Sequence, residues 1–142
     1  MLRDFEYYIK TRKVVKQPVS ESTINSLMKK SKRRLDYVKD QGVNEENADF
    51  LFEDIYESIR EAAQALLAKE GYKPYSHEAV IAFLKYKYPE FREDEIIKFD
   101  DYRKIRNQLI YYAKNTSKEK TEAALIYLEK FYPKVKELLD KK

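Results

Sequence analysis

The sequence predicts an all-α protein, an up-and-down bundle of four to five helices, from three observations. The chain contains only 2 glycines and 4 prolines, too few for the turns of a many-stranded sheet. Apolar residues recur at spacings of three and four along most of its length, the period of one helix face. The composition, 43% hydrophobic and 38% charged, provides a core and a solvated surface. We therefore expect residues 1–142 to form one helical domain with short connections between antiparallel neighbours.

The first half of the chain predicts an N-terminal arm and two helices. Residues 1–18 have scattered apolar side chains, which indicate a short helix or arm. Ser20 can N-cap the next helix, which ends near Gly42, a residue suited to the left-handed position past a helix. Asn44 can cap a long third helix that ends at Gly71. The core positions of this third helix step by three and four and are Leu51, Ile55, Ile59, Ala62 and Leu66.

The second half predicts three more helices. The segment "GYKPY", residues 71–75, is expected to be a loop, and Ser76 can cap the short helix that follows. A fifth helix is expected from Glu93 to Lys114. Thr116 and Glu119 have the spacing of a capping box for the last helix. The apolar positions of that last helix are Ala124, Leu128, Phe131, Val135 and Leu138.

Composition also limits the chemistry. There is no cysteine, which excludes a disulfide framework and a thiolate nucleophile. The single histidine, His77, gives little support to Ser–His catalysis or a multi-histidine metal site, and we predict neither a metal nor a cofactor. With no signal peptide and no long apolar run, the sequence predicts a cytoplasmic protein that does not contact a membrane. The formal net charge of +4 is compatible with an anionic partner.

The segment "DYRKIRNQLIYYAK", from Asp101 to Lys114, contains a strip of polar residues on one side of the fifth helix. Guanidinium groups in this strip can bind phosphate in a forked geometry, and an amide and a phenol lie next to them. The residues alone fit an anion- or nucleotide-binding helix, or a strip that forms salt bridges between subunits. The strip consists of Arg103, Arg106, Asn107, Ile110, Tyr111 and Lys114. The opposite side, expected to be a core stripe, consists of Tyr102, Ile105, Leu109, Tyr112 and Ala113.

The basic run of the second helix and the single histidine each allow a structural and a functional interpretation. The basic run "KKSKRR" in the second helix places positive charge on one flank through Lys29, Lys30, Arg33 and Arg34. This flank is either a solvated helix face or a stripe that follows an RNA backbone. His77, in the first turn of the short helix, is either a capping or packing residue or a group that takes part in proton transfer.

Two segments resemble a known family. The stretch "FDDYRKIRNQLIYYAK", Phe99 to Lys114, resembles the signature helix of the HEPN superfamily (higher eukaryote and prokaryote nucleotide-binding domain), which typically reads R-N-x-x-x-H. The stretch "REAAQALLAKEGYKPYSHEAVIAFLKY", Arg60 to Tyr86, is similar to the third helix, glycine-ended loop and short helix of that family. The similarity extends from Asn44 to Asp140.

The resemblance implies a bundle that forms a homodimer with the motif helices facing across a cleft. Arg106 matches the motif arginine and Asn107 the polar residue after it, whereas Tyr111 occupies the position of the family histidine. A phenol has an ordinary pKa of about 10, against about 6.5 for imidazole, so Tyr111 is a poor base at neutral pH. We therefore expect a module that binds RNA or nucleotide through Arg103, Arg106, Asn107 and Lys114, with weak or absent nuclease activity.

The alternative is a metal-independent ribonuclease toxin whose antitoxin is a small nucleotidyltransferase. In that case Arg106 would stabilise the charge that develops on the phosphorane, and Tyr111 or His77 would move protons. Both functions use Arg106 of the fifth helix.

Overall fold

The computed structural model describes residues 2–141 and confirms the all-α class. Six helices and one pair of short strands make up this part of the chain. In chain order the elements are α1 (Phe5–Lys10), β1 (Val14–Lys16), α2 (Glu21–Gln41), α3 (Ala48–Lys69), β2 (Tyr72–Pro74), α4 (His77–Lys87), α5 (Glu93–Tyr111) and α6 (Lys118–Asp140).

Helix α3 is the centre of the bundle. It packs against α2, α4, α5 and α6, so its apolar residues occupy most of its circumference rather than one stripe. Its predicted core positions, Leu51 to Leu66, are all buried. No helix within residues 2–141 combines the length and apolar character needed to cross a membrane. The largest completely buried side chains are Tyr56, Phe52, Phe83, Phe99 and Phe131.

Two predicted helix caps are confirmed and two are displaced. The hydroxyl of Ser20 accepts a hydrogen bond from the N–H of Thr23, and the hydroxyl of Ser76 caps α4 in the same way. Helix α3 begins after Asn47 rather than at Asn44, because the Asn44 side chain accepts the N–H groups of residues 46 and 47 and holds them in a turn. Helix α6 is capped by Ser117 rather than by a Thr116–Glu119 box.

The expectation that "GYKPY" is only a loop is wrong. Residues 72–74 form β2, which pairs antiparallel with β1, so the predicted N-terminal arm consists of α1 followed by a strand. We call this pair of strands the β-ribbon. The N–H of Gln17 donates to the carbonyl of Gly71 at 2.9 Å, and Gly71 has a φ of 81°. A glycine is favoured there both by this left-handed backbone and because an added Cβ would lie 3.3 Å from the Gln17 carbonyl oxygen.

Helix α5 ends three residues earlier than the sequence predicts. Its last residue is Tyr111, and Ala113 has a left-handed φ of 51° that turns the chain away. The Lys114 N–H then donates to the Gln108 carbonyl at 3.2 Å. Tyr112 is 72% exposed and Ala113 is also exposed, so their assignment to the core stripe is wrong. The prediction assumed that the helix continues to Lys114, and it ends before these two positions.

Candidate functional site

The polar side of α5 carries a guanidinium with unused hydrogen-bonding capacity, that of Arg106. Its side chain is only 18% exposed, and its Nε is buried with no hydrogen-bond partner among the described residues. The Nη1 group donates to the Asn107 side-chain oxygen at 3.3 Å, and Nη2 lies 3.9 Å from a carboxylate oxygen of Glu57. A buried, unpartnered guanidinium N–H is uncommon. Arg106 is therefore less completely paired than a structural arginine in a core needs to be.

Helix α3 supplies the opposite wall. Glu57 accepts hydrogen bonds from Nε and Nη2 of Arg60, at 3.0 and 2.7 Å, and Arg60 also donates to Gln64. Burial acts to raise the pKa of Glu57, but the hydrogen bonds and charge of Arg60, together with Arg106, outweigh it and lower that pKa. Glu57 is consequently an anion at neutral pH, shared between Arg60 and Arg106.

The start of α4 brings His77 to the same place. Its Nδ1 lies 2.9 Å from the hydroxyl of Tyr56, and the two rings are stacked with centroids 5.6 Å apart. Burial, and then the positive charges of Arg60 and Arg106, lower the pKa of His77 to about 4. The imidazole is therefore neutral at pH 7, and we name Glu57, Arg60, His77, Arg103 and Arg106 together the Arg106 site.

The hydrogen bond to Tyr56 sets the tautomer of His77. Burial raises the pKa of the Tyr56 phenol, so the hydroxyl keeps its proton. Tyr56 is completely buried, and His77 Nδ1 is the one hydrogen-bond partner that its hydroxyl has within residues 2–141. A donor left without an acceptor would cost free energy, so the phenol donates to Nδ1. The proton of the neutral imidazole then lies on Nε2, where it can be donated to an anion.

Arg103 is held more tightly than Arg106. Its Nε donates to Asp100 at 2.8 Å, and its Nη1 lies 3.9 Å from Glu78. Burial opposes the charged form, but the pairing with Asp100 raises the pKa of the Arg103 guanidinium. The Tyr8 hydroxyl donates to the other oxygen of Glu78 at 3.5 Å. Arg103 therefore contributes charge to the site with its Nε already engaged by Asp100.

The remaining predicted residues of the α5 strip differ in how far they are exposed to solvent. Asn107 is half-buried beside Arg106, whose guanidinium carbon lies 5.9 Å from the centre of the Tyr111 ring. Tyr111 is 68% exposed and Ile110 is 42% exposed. Lys114 lies beyond the end of the helix and is exposed, so it does not continue the strip in helical register.

The four predicted cations of the basic run in α2 fall into two groups. Lys29, Lys30 and Arg33 are exposed on α2, and none of them has an ion-pair partner among the described residues. Arg34 instead points to α3, where it donates to Asp54 and to Glu61, both at 3.0 Å. Arg34 therefore joins two helices, and the solvated patch comprises the other three cations.

The site residues on α5 were predicted from the sequence, and those on α3 were not. Glu57 and Arg60 look like ordinary solvated positions of a long helix. A signal was nevertheless present, because Glu53, Glu57, Arg60 and Gln64 step by four, three and four and form a polar stripe along a largely apolar helix. His77 was placed correctly at a helix start, and its proximity to the arginines follows from packing between distant segments.

The Arg106 site combines hydrogen-bond donors from three helices. The arginines contribute positive charge, while Glu57, Glu78 and Asp100 offset part of it. A ligand oxygen must therefore compete with internal carboxylates for the guanidinium donors. Comparisons of the chain with family models, with curated proteins and with solved structures found no match.

Proposed function

We propose that this chain is a HEPN-like module that binds the phosphate groups of RNA or of a nucleotide at the Arg106 site, as a homodimer and with weak or absent nuclease activity. The observation that carries the proposal is the incomplete pairing of Arg106, whose Nε has no partner among the described residues and whose closest carboxylate contact is 3.9 Å long. A phosphate oxygen is the kind of acceptor that such a guanidinium binds best.

The neighbours of Arg106 support an anionic ligand. Neutral His77 offers an Nε2–H donor at physiological pH, and Arg60 and Arg103 add positive charge to the same surface. Asn107 can act as donor or acceptor toward a ribose hydroxyl or a base edge. None of these groups requires a metal ion to hold a phosphate.

The exposed Tyr111 ring supports a ligand that carries a base. It is 68% exposed beside the half-buried Arg106, so a base stacked on the phenol would bring its own phosphate toward the guanidinium. Aromatic stacking of this kind is worth about 1–3 kcal/mol per base. A free inorganic anion would not use this ring, and RNA or a nucleotide would.

Exposed apolar residues around the site support the dimer. Ile110, Tyr111 and Tyr112 lie at the end of α5, and Phe50 at the start of α3 is 70% exposed. The Thr116 N–H donates to Asp49 at 2.7 Å and keeps the two ends together. A second copy would cover these side chains and complete a shared cleft. Light scattering at micromolar concentration should give twice the 17.1 kDa chain mass, and a monomer over that range would contradict the shared cleft.

The binding proposal is tested by fluorescence anisotropy with a labelled single-stranded RNA and the protein in EDTA. Arg106→Ala should weaken binding at least tenfold, since a hydrogen bond to a charged group contributes about 1.5–3 kcal/mol. Arg92→Ala is the matched control, because Arg92 lies at the start of the same helix with a 70% exposed side chain. Equal affinity of wild type and Arg106→Ala would overturn the proposal.

A ribonuclease toxin is the second candidate, and the proximity of His77 to Arg60 and Arg106 favours it. As a base His77 would need the other tautomer, with Nδ1–H donated to the Tyr56 hydroxyl and Nε2 free. The Nε2–H tautomer therefore supports binding over catalysis, and we expect wild-type protein to cleave RNA slowly or not at all.

The two candidates are separated by restoring the family residue. Tyr111→His places an imidazole beside Arg106, and general acid–base catalysis is typically worth about 10²–10⁴-fold. Cleavage to 2′,3′-cyclic phosphate products should appear or increase in this variant without added metal. Fast cleavage by the wild type that is lost in Tyr111→Phe or in His77→Gln would favour the toxin and contradict a mainly binding role.

A further inference from the structure

The β-ribbon carries charge of one sign. No acidic residue occurs in residues 7–20 or in residues 71–77, the two segments that contain its strands. Arg12, Lys13, Lys16 and Lys73 are all exposed, and none has a carboxylate within ion-pair distance among residues 2–141. Within residues 2–141 the ribbon is thus a surface of unpaired positive charge.

The strand register determines which side chains lie on the outer face of the ribbon. Val14 is buried and Tyr72 packs against Phe5 and Phe83, so these positions face the core. Side chains alternate along a strand, and Val15 therefore faces outward, paired directly with Lys73.

The same alternation extends to the next pair. The Tyr75 N–H donates to the Lys13 carbonyl at 2.7 Å, which places these two residues opposite one another. The outer face consequently presents Lys13, Val15, Lys73 and Tyr75. Tyr75 is 61% exposed, and the Lys73 ammonium lies 5.4 Å from the centre of its ring.

This combination has the chemistry of a single-strand nucleic-acid platform. An exposed aromatic ring can stack with any base, and flanking lysines can contact phosphates without reading sequence. An acidic peptide would be attracted by the same charges, but it would leave the exposed face of Tyr75 without a matching partner.

The platform lies close in the chain to His77 of the Arg106 site. Tyr75 precedes His77 by two residues, so their Cα atoms are at most about 7 Å apart. A chain of nucleotides with one phosphate at Arg106 can therefore extend toward the ribbon, whereas a mononucleotide cannot occupy both places.

We propose that the ligand is a single-stranded RNA several nucleotides long, which places one phosphate at the Arg106 site and continues over the outer face of the β-ribbon, with a base stacked on Tyr75 and phosphates near Lys13 and Lys73. This inference rests on the proposed function and names its substrate class. It assigns the ribbon a role in binding that the α5 strip cannot supply alone.

The test compares a labelled uridine mononucleotide with a labelled uridine dodecanucleotide in anisotropy titrations. Tyr75→Ala should weaken binding of the dodecanucleotide about tenfold, within the range expected for one lost stacking contact, and leave binding of the mononucleotide unchanged. Tyr75→Phe should keep wild-type affinity. Replacing both Lys13 and Lys73 with alanine should reduce the magnitude of the log–log salt slope for the dodecanucleotide by about 1.4, since each single-strand phosphate contact contributes about 0.7.

Matched controls and competing outcomes separate this inference from the proposed function. The double variant Lys98→Ala, Lys136→Ala removes two exposed lysines from α5 and α6 and should bind the mononucleotide and the dodecanucleotide like wild type. If Arg106→Ala weakens the binding of both ligands while the ribbon variants match wild type, the proposed function stands and the role of the β-ribbon in RNA binding is wrong. If Arg106→Ala has no effect on either ligand, the proposed function itself fails. Tight binding of a polyglutamate peptide that is lost only in the ribbon variants would show that the β-ribbon binds an acidic protein, and would overturn its role in RNA binding.

Discussion

Glu57→Gln should strengthen phosphate binding while it destabilises the fold. Glu57 is the internal competitor for Arg106, since its carboxylate lies 3.9 Å from Nη2. A phosphate hydrogen-bonded to that guanidinium would be roughly 6 Å from the carboxylate. At an effective dielectric constant of about 20, two unit charges at that distance repel by roughly 3 kcal/mol. Screening over a Debye length of about 8 Å reduces this to about 1.5 kcal/mol. We therefore expect about tenfold tighter binding in the glutamine variant.

The stability of the same variant should change in the opposite direction. Arg60 would lose its two short hydrogen bonds to an anion, and because this pair is about one quarter exposed, the loss should cost about 1 kcal/mol rather than the value of a fully buried pair. Urea unfolding measures this term and anisotropy measures the affinity. Glu122→Gln, an exposed position on α6, makes the same change in net charge and should alter affinity less than about twofold. Unchanged or weaker RNA binding by Glu57→Gln would refute the competition between Glu57 and phosphate.

Three further predictions concern stability. The pKa of His77 is lowered to about 4 in the folded protein, so the unfolded chain binds the proton first as pH falls below about 6.5. The free energy of unfolding should therefore fall by about 1–2 kcal/mol between about pH 6.5 and pH 4, after allowance for solvent screening. In urea titrations His77→Gln should remove that part of the pH dependence. Lys69 donates hydrogen bonds to the carbonyls of Leu138 and Lys141 at the end of α6, at 2.8 and 2.9 Å. Lys69→Met should therefore lower the free energy of unfolding by about 1–2 kcal/mol. An unchanged melting temperature would show that water replaces the lysine. Ala113 has a φ of 51°, so Ala113→Gly should stabilise the protein by up to about 1 kcal/mol, whereas a lower melting temperature would contradict strain at this position.

The fold was predictable where the signal is local. The apolar spacing of α3 and the serine caps of α2 and α4 each depend on a few neighbouring residues, and these predictions are confirmed. The β-ribbon was not predictable in this way. Its two three-residue strands are 58 positions apart in the pairing of Val15 with Lys73, and one of them ends in proline, so neither shows an alternating pattern long enough to recognise.

The site was predictable to the extent that it lies on one helix. Arg103, Arg106, Asn107 and Tyr111 share α5, and their spacing alone places them together. The position of Glu57 between two arginines depends on the packing of α3 against α5, which no local pattern encodes. The end of α5 was misplaced for a related reason, since the turn is made by Ala113 and neither glycine nor proline marks it.

The Nε–H of Arg106, which has no hydrogen-bond partner within residues 2–141, provides the most direct test of the central claim. In ¹⁵N-labelled protein its resonance can be assigned by its loss in Arg106→Lys. We predict that this resonance shifts on titration with the uridine dodecanucleotide and saturates at the same concentration as the anisotropy signal, while the Nε–H of Arg92 stays unchanged. An Arg106 resonance that does not move while the RNA binds, with shifts confined to residues of α2 such as Arg33, would contradict a phosphate-binding role for the Arg106 site.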